Sequence, residues 1–170
     1  MKNKGWLKIP GVQDGERTLD EQMLGLAPAL AEAQGTTVLD LGCAEGGIAL
    51  EFAKAGARPV EGVDYNAPFI EIAKKELAKS AQYGVRFRCD DITGMVGRAV
   101  YKHYDIVLAL AILHKLPDPA AGIRFCAQSA RSLIVIRLPH GSTGNIRSKH
   151  GEHQRADIRE ILPACGFVRE

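Results

Sequence analysis

Apolar residues in this chain fall into short runs separated by amphipathic stretches, and the alternation repeats across residues 37–138. Thr37-Val38-Leu39-Asp40-Leu41 reads as a buried strand, and Gly42-Cys43-Ala44-Glu45-Gly46-Gly47 breaks it with a glycine-rich turn. Ile48-Ala49-Leu50-Glu51-Phe52-Ala53 then restarts at helical spacing, which predicts a helix over about 46–55. A second strand is expected at 59–64, and Asn66 caps a helix running to about residue 80, with Pro68 tolerated in its first turn. Residues 85–89 alternate as a third strand, and 94–100 is either one helical turn or a loop. The continuous apolar run at 104–110 suits a strand buried on both faces; a helix at 119–131 and a fifth strand at 132–138 follow.

The ends are less regular. Residues 1–17 carry Gly5, Pro10, Gly11 and Gly15 without periodicity and read as an irregular arm, with Trp6 as its anchor onto the domain rather than a substrate contact. Thr18-Leu19-Asp20-Glu21 is a capping-box pattern. The helix it opens places Met23, Leu24, Leu26, Leu30 and Ala31 at helical spacing, is bent by Pro28 and ends near Gly35. After the fifth strand, 141–145 is expected as a flexible loop and 147–155 as a basic, histidine-containing stretch. A helix at 154–162 and the start of a sixth strand at 166–170 complete the chain. Strands alternating with helices build a mostly parallel sheet covered on both faces. The expected fold is therefore α/β, a three-layer Rossmann-like sandwich in a single domain over 1–170. Within it, 1–34 form the arm and first helix, 35–138 the ligand-binding core, and 139–170 a lid-like loop, helix and short strand.

Composition narrows the function classes. At 170 residues the chain is long enough for one real core, and 46% apolar with 25% charged residues is ordinary for a globular protein. A net charge of +2 does not by itself call for nucleic acid or an anionic membrane. No apolar run is long enough to span a bilayer, and the first residues lack the apolar core of a secretory signal, so a cytoplasmic location is expected. Cys43, Cys89, Cys126 and Cys165 are widely spaced, which argues against a disulfide framework or a zinc site and for small buried apolar side chains. No metal site is expected.

The candidate chemistry lies at the first turn. A strand running through glycines into a helix leaves free N–H groups at the helix start and lets a ligand approach the backbone. Asp64 ends the second strand about 20 residues past the first glycine, the spacing at which a carboxylate reaches ribose hydroxyls. Asp40 before the turn and Glu45 within it would repel a pyrophosphate. Those charges suit a ligand with a cationic end and disfavour a nicotinamide-dependent oxidoreductase.

Asp40-Leu41-Gly42-Cys43-Ala44-Glu45-Gly46-Gly47 resembles the first motif of class I S-adenosylmethionine (SAM)-dependent methyltransferases. The resemblance implies SAM as cofactor and S-adenosylhomocysteine (SAH) as product. It implies that Asp40, Gly42, Cys43, Ala44 and Gly46 surround the methionine part, that Asp64 holds the ribose, and that Tyr65 lies near the adenine. Asp91, with Asp90 as the alternative, aligns with the acid for the adenine amine, and Ile92 with the residue packing on the ring. Ala109 joins the cofactor residues at the end of the fourth strand. The family's Asn/Asp-Pro-Pro-Tyr/Phe motif is absent there. His114-Lys115-Leu116-Pro117-Asp118-Pro119 instead resembles a pattern of small-molecule methyltransferases and of some that modify the tRNA wobble uridine. His114 is the candidate general base, with packing behind the cofactor as the alternative. Arg137 and His140 lie at the ligand edge of the fifth strand. The expected activity is methyl transfer to an oxygen, nitrogen or carbon of a small molecule; a tRNA acceptor and a non-catalytic SAM-binding module are the alternatives. The resemblance implies a seventh, antiparallel strand for which no residues are left here, so three expectations stand open: a trimmed sheet, an edge covered by a partner such as a second copy of the chain, or a coding frame that ends early.

Overall fold

The computed structural model describes residues 5–80, 84–96, 103–138, 145–147 and 155–166, and the chain divides into two compact units, Met1–Cys89 and Asp90–Glu170. The first unit opens with β1 (Gly5–Leu7) and β2 (Gly15–Arg17), paired in parallel, so the arm is not irregular as its composition suggested. Two glycines make that pairing fit. A Cβ on Gly5 would stand 1.9 Å from the Gln13 side chain, and one on Gly15 would stand 2.3 Å from the Leu7 carbonyl oxygen.

The leading helix is two helices, α1 (Leu19–Met23) and α2 (Ala27–Ala31). Thr18 and Glu21 form the expected capping box at the start of α1. The break falls at Gly25, which takes φ +77°, and Pro28 sits in the first turn of α2 instead of bending a helix interior. Leu24, placed on the apolar face by spacing, is in consequence 71% exposed.

The rest of the unit follows the pattern. β3 (Val38–Leu41), α3 (Gly47–Lys54), β4 (Val60–Asp64), α4 (Ala67–Ser80) and β5 (Val85–Cys89) succeed one another, with β3 on β4 and β4 on β5 in parallel register. α3 packs on β3, β4 and β5, and α4 on β4 and β5. Val38, Phe52, Val60, Val63 and Ile70 form the centre of this core, each at most 1% exposed.

In the second unit α5 (Ile92–Val96) is one short turn of helix; residues 97–100 of the segment that was open between helix and loop lie outside the described residues. β6 (Tyr104–Leu110) carries the continuous apolar run, and a 3-10 turn (Leu113–Lys115) follows it. α6 (Pro119–Ser129) is N-capped by Asp118 and hands directly to β7 (Ala130–Arg137), which starts two residues before the expected strand and pairs with β6 in parallel. Ile106, Leu108, Ile123 and Cys126 are the buried centre.

The tail contains a feature that the pattern did not predict. β8 (Asn145–Arg147) and β9 (Arg155–Asp157) form an antiparallel ladder that flanks the expected basic stretch, while 141–144 of the expected flexible loop lie outside the described residues. Ile146 and Ala156, opposed in that ladder, are both buried, which gives the pair an apolar reason to form. α7 (Ile158–Ala164) starts later than expected because Asp157 caps it, accepting from the Arg159 N–H. His140, residues 148–154 of the basic stretch, and 167–170 of the expected sixth strand lie outside the described residues. Cys43 and Cys126 are buried as expected, whereas Cys89 and Cys165 are exposed. The α/β class with parallel central strands is as the alternation of elements implied.

Candidate cofactor site

The turn between β3 and α3 is fixed from two sides. From β4, the Val63 carbonyl accepts the N–H groups of Gly42 (2.8 Å) and Cys43 (3.1 Å). The Asp64 carboxylate accepts the Ala44 N–H at 3.0 Å through one oxygen and the Asn66 N–H at 2.9 Å through the other. Gly42, Ala44 and Gly46 all take positive φ, at 76°, 47° and 79°. Left-handed backbone is cheap for glycine and costs an alanine about 1–2 kcal/mol, so Ala44 is strained and held by its bond to Asp64. Gly46 has no room for a side chain, because a Cβ there would stand 2.5 Å from the Phe87 ring and 2.9 Å from the Ala73 Cβ. It also begins α3 with no side-chain cap. First-turn amides of a helix are thereby left for water or a ligand.

Beneath this turn lies the charge that most needs explaining. Asp40 stands in β3 opposite Gly62 of β4, is 1% exposed, and neither of its carboxylate oxygens has a hydrogen-bond partner among the described residues. Burial, and next the negative charge of Asp64, push its pKa up to about 7. A buried carboxylate without a donor is costly, and an arriving cation or N–H donor removes that cost. The donor set therefore fits a ligand that brings an ammonium or sulfonium charge and fits a phosphate poorly. Cys43 lies in the same turn, its thiol turned to the Ala44 carbonyl, and burial together with Asp40 and Asp64 pushes its pKa far up. That thiol is a packing group.

Glu45 departs from expectation. Its carboxylate accepts the backbone N–H groups of Trp6 (2.8 Å) and Leu7 (3.0 Å) and the side-chain amide of Gln13. It ties down the arm. The Trp6 ring is engaged by Arg17, whose guanidinium lies 5.7 Å from the ring centroid. Tyr65, expected near the adenine, is 71% exposed just after Asp64. The partnership of Glu45 with the arm escaped the sequence reading; an acid in a glycine turn and an amide at residue 13 carry no spacing rule.

The second unit holds the remaining expected residues. Asp91 is exposed and accepts the Thr93 N–H at 2.9 Å, which makes it the N-terminal cap of α5, and Ile92 beside it is buried. Asp90 accepts the Asp91 N–H at 2.9 Å. Ala109 is fully buried in β6, opposite Ile136 of β7. At the end of β6, Ala111 takes φ 56° while its N–H donates to the Arg137 carbonyl at 2.9 Å. Leu113 and Leu116, either side of the half-buried His114, pack on Gly122 of α6, where a Cβ would stand 2.5 Å from a Leu116 methyl. Among the described residues no group of three or more His, Cys, Asp or Glu side chains is placed to hold a metal ion, and no helix is long and apolar enough to cross a membrane.

A parallel α/β architecture with a glycine turn over an orphaned acid defines a nucleoside-type binding class. Residues 32–148 match the family model described as a methyltransferase domain. Because that match spans more than half of the chain, the protein belongs to the methyltransferase-domain family, whose structural neighbours here are class I SAM-dependent enzymes. It is similar to a ubiquinone biosynthesis O-methyltransferase of Nitrosospira multiformis, 32% identical over 108 residues, 64% of this chain and 44% of that protein. The namesake from Coxiella burnetii is 35% identical over 94 residues, 55% of this chain and 38% of its own. The chain thus spans less than half the length of these curated relatives. Among solved structures, magnesium protoporphyrin IX methyltransferase from Synechocystis PCC 6803 with bound SAM superposes with TM-score 0.64. It is 26% identical, over 88% of this chain and 67% of that one. WbdD superposes with TM-score 0.72 at 20% identity over 98% of this chain and 40% of its own, which speaks to the fold alone.

Proposed function

We propose that this chain is a methyltransferase domain that binds SAM at the turn between β3 and α3 and passes its methyl group to a small-molecule acceptor. The observation that carries the reading is Asp40, a buried carboxylate with no donor among the described residues, under a turn whose amides are already pinned. Bound SAM supplies a methyl carbon activated by its sulfonium neighbour. The protein's part is to position, to exclude water, and to take the acceptor's proton where there is one. Asp40 offers its carboxylate to the cationic end of the cofactor. Asp64 has lone pairs left after its two backbone bonds and offers them to ribose hydroxyls. Tyr65, Asp91 and Ile92 are the adenine candidates, and Gly42, Cys43, Ala44 and Gly46 supply the backbone cradle.

His114 is assigned to the acceptor as general base, since it follows β6 at its C-terminal end and an imidazole can both accept and release a proton. The name of the curated relatives, ubiquinone biosynthesis O-methyltransferase, favours an oxygen acceptor. The cytoplasmic location stays part of this proposal.

Thermal unfolding with SAH, and with NAD as control, tests the reading. At about 100 times its Kd a ligand adds roughly 2.7 kcal/mol, and in a domain of this size each kcal/mol moves the midpoint by about 2–4 °C. A rise with SAH alone is expected. Equal responses to both ligands, or to neither, would remove the SAM site.

A further inference from the structure

Glu45 is a buried carboxylate, 1% exposed, in the middle of the cofactor turn, yet among the described residues the hydrogen bonds it accepts come from the N-terminal arm. The arm is shaped to deliver those donors. Gln13 folds back over Gly5, and its amide donates both to Glu45 and to the Leu7 carbonyl (2.8 Å), so two consecutive N–H groups and one side chain converge on one carboxylate. Leu7, itself buried, lies on Gly47 at the start of α3, where a Cβ would stand 2.9 Å from its methyl group. The residue before Glu45 is the strained Ala44 tied to Asp64, and the residue after it is Gly46, which has no room for a side chain.

We propose that Glu45 is a positioning residue that latches the arm, Gly5 through Arg17, to the cofactor turn, so that seating of the arm and retention of the cofactor are one coupled equilibrium. The proposal rests on the SAM-binding reading above. Its physical basis is that a buried carboxylate stripped of its donors is costly, and that cost is relieved by turning out to water or by taking up a proton. When the arm lifts, water reaches Glu45 from the side its donors leave, and the carboxylate turns toward it, drawing on the backbone between Ala44 and Gly46. That backbone is the cradle. A ligand that holds the cradle in place therefore holds the arm down, and by reciprocity the arm raises affinity for the ligand by the same factor.

The test combines amide hydrogen exchange at Trp6 and Leu7 with calorimetric SAH affinity and steady-state kinetics, in the wild type, Glu45→Gln and Gln13→Ala. SAH is expected to slow exchange at both amides in the wild type. Glu45→Gln is expected to speed that exchange and to weaken SAH by about tenfold, the scale of losing charge-assisted bonds. KM for SAM rises while kcat at saturation holds; a purely structural loss would lower both activity and folding without reciprocal protection. Gln13→Ala leaves both backbone donors in place and gives the same changes at smaller size, which keeps the test available if Glu45→Gln fails to fold. Wild-type SAH binding that leaves arm exchange unchanged, with variant affinities within about twofold of wild type, overturns the coupling alone. Absence of SAH binding by the folded wild type overturns the cofactor reading and the coupling with it, while exchange in Glu45→Gln still reports whether the latch exists.

Discussion

The turn after β3 and the turn after β6 start alike and end differently. Each leaves a parallel strand, and each contains a non-glycine residue at positive φ, Ala44 in the first and Ala111 in the second. In the first, three consecutive amides are bound by a neighbouring carbonyl and the Asp64 carboxylate, and two further acids, Asp40 and Glu45, are buried beside them. In the second, one strand-to-strand bond from Ala111 is followed by a 3-10 turn anchored by leucines against α6. The first turn is rigid and polar, suited to holding a charged ligand in one place. The second is held by apolar packing of Leu113 and Leu116 and carries His114 and Lys115 between them, so on the proposed reading it faces the acceptor.

Gly46→Ala should separate the two most sharply. The added methyl meets Phe87 and forces a left-handed alanine, so the loss is about 3 kcal/mol of stability together with SAH binding, read by urea unfolding and calorimetry. His114→Ala, in the second turn, should lower kcat by about 100-fold and leave SAH affinity unchanged. An unaltered kcat would return the imidazole to packing.

Asp40 gives the next effect. Its raised pKa means that the folded protein binds a proton more tightly than the unfolded chain, so this contribution to stability is full below about pH 4 and is lost as pH rises through about 7. Asp40→Asn should remove that loss. At pH 8 the ligand-free variant is expected to be more stable by on the order of 2 kcal/mol, about 4–8 °C in midpoint, while its response to SAH disappears. A pH–stability profile identical to wild type would overturn the assignment of that proton. The smallest effects are Ala44→Gly and Ala111→Gly. Each relieves left-handed strain and should be neutral or stabilising by up to about 1 kcal/mol, whereas Ala109→Gly within β6 should cost about as much.

The first turn was readable in the chain because glycines clustered between an apolar run and a helical pattern demand a special backbone, and Gly42 and Gly46 do take positive φ. Asp64, placed by its spacing from the first glycine, bonds the turn at the Ala44 N–H. The strands were readable because period and length agree, as in Tyr104–Leu110. What escaped was settled by contacts distant in sequence. Glu45 meets Trp6 and Leu7 across nearly forty positions, roughly a quarter of the chain. The ladder Asn145–Arg147 with Arg155–Asp157 depends on burial of Ile146 and Ala156, two apolar positions too few to show a period. Leu24 fits the helical stripe but falls where Gly25 ends the helix, so a correct period gave a wrong face.

The four cysteines have a use that none of this chemistry requires. Cys43 and Cys126 are buried, with burial pushing the latter up to about 12, and will not react with a thiol-directed reagent at neutral pH. Cys89 and Cys165 are exposed, one in each compact unit. The native chain is therefore already a two-point labelling substrate. Spin labels attached to that pair provide a ruler whose reading before and after SAH is added requires no residue to be replaced.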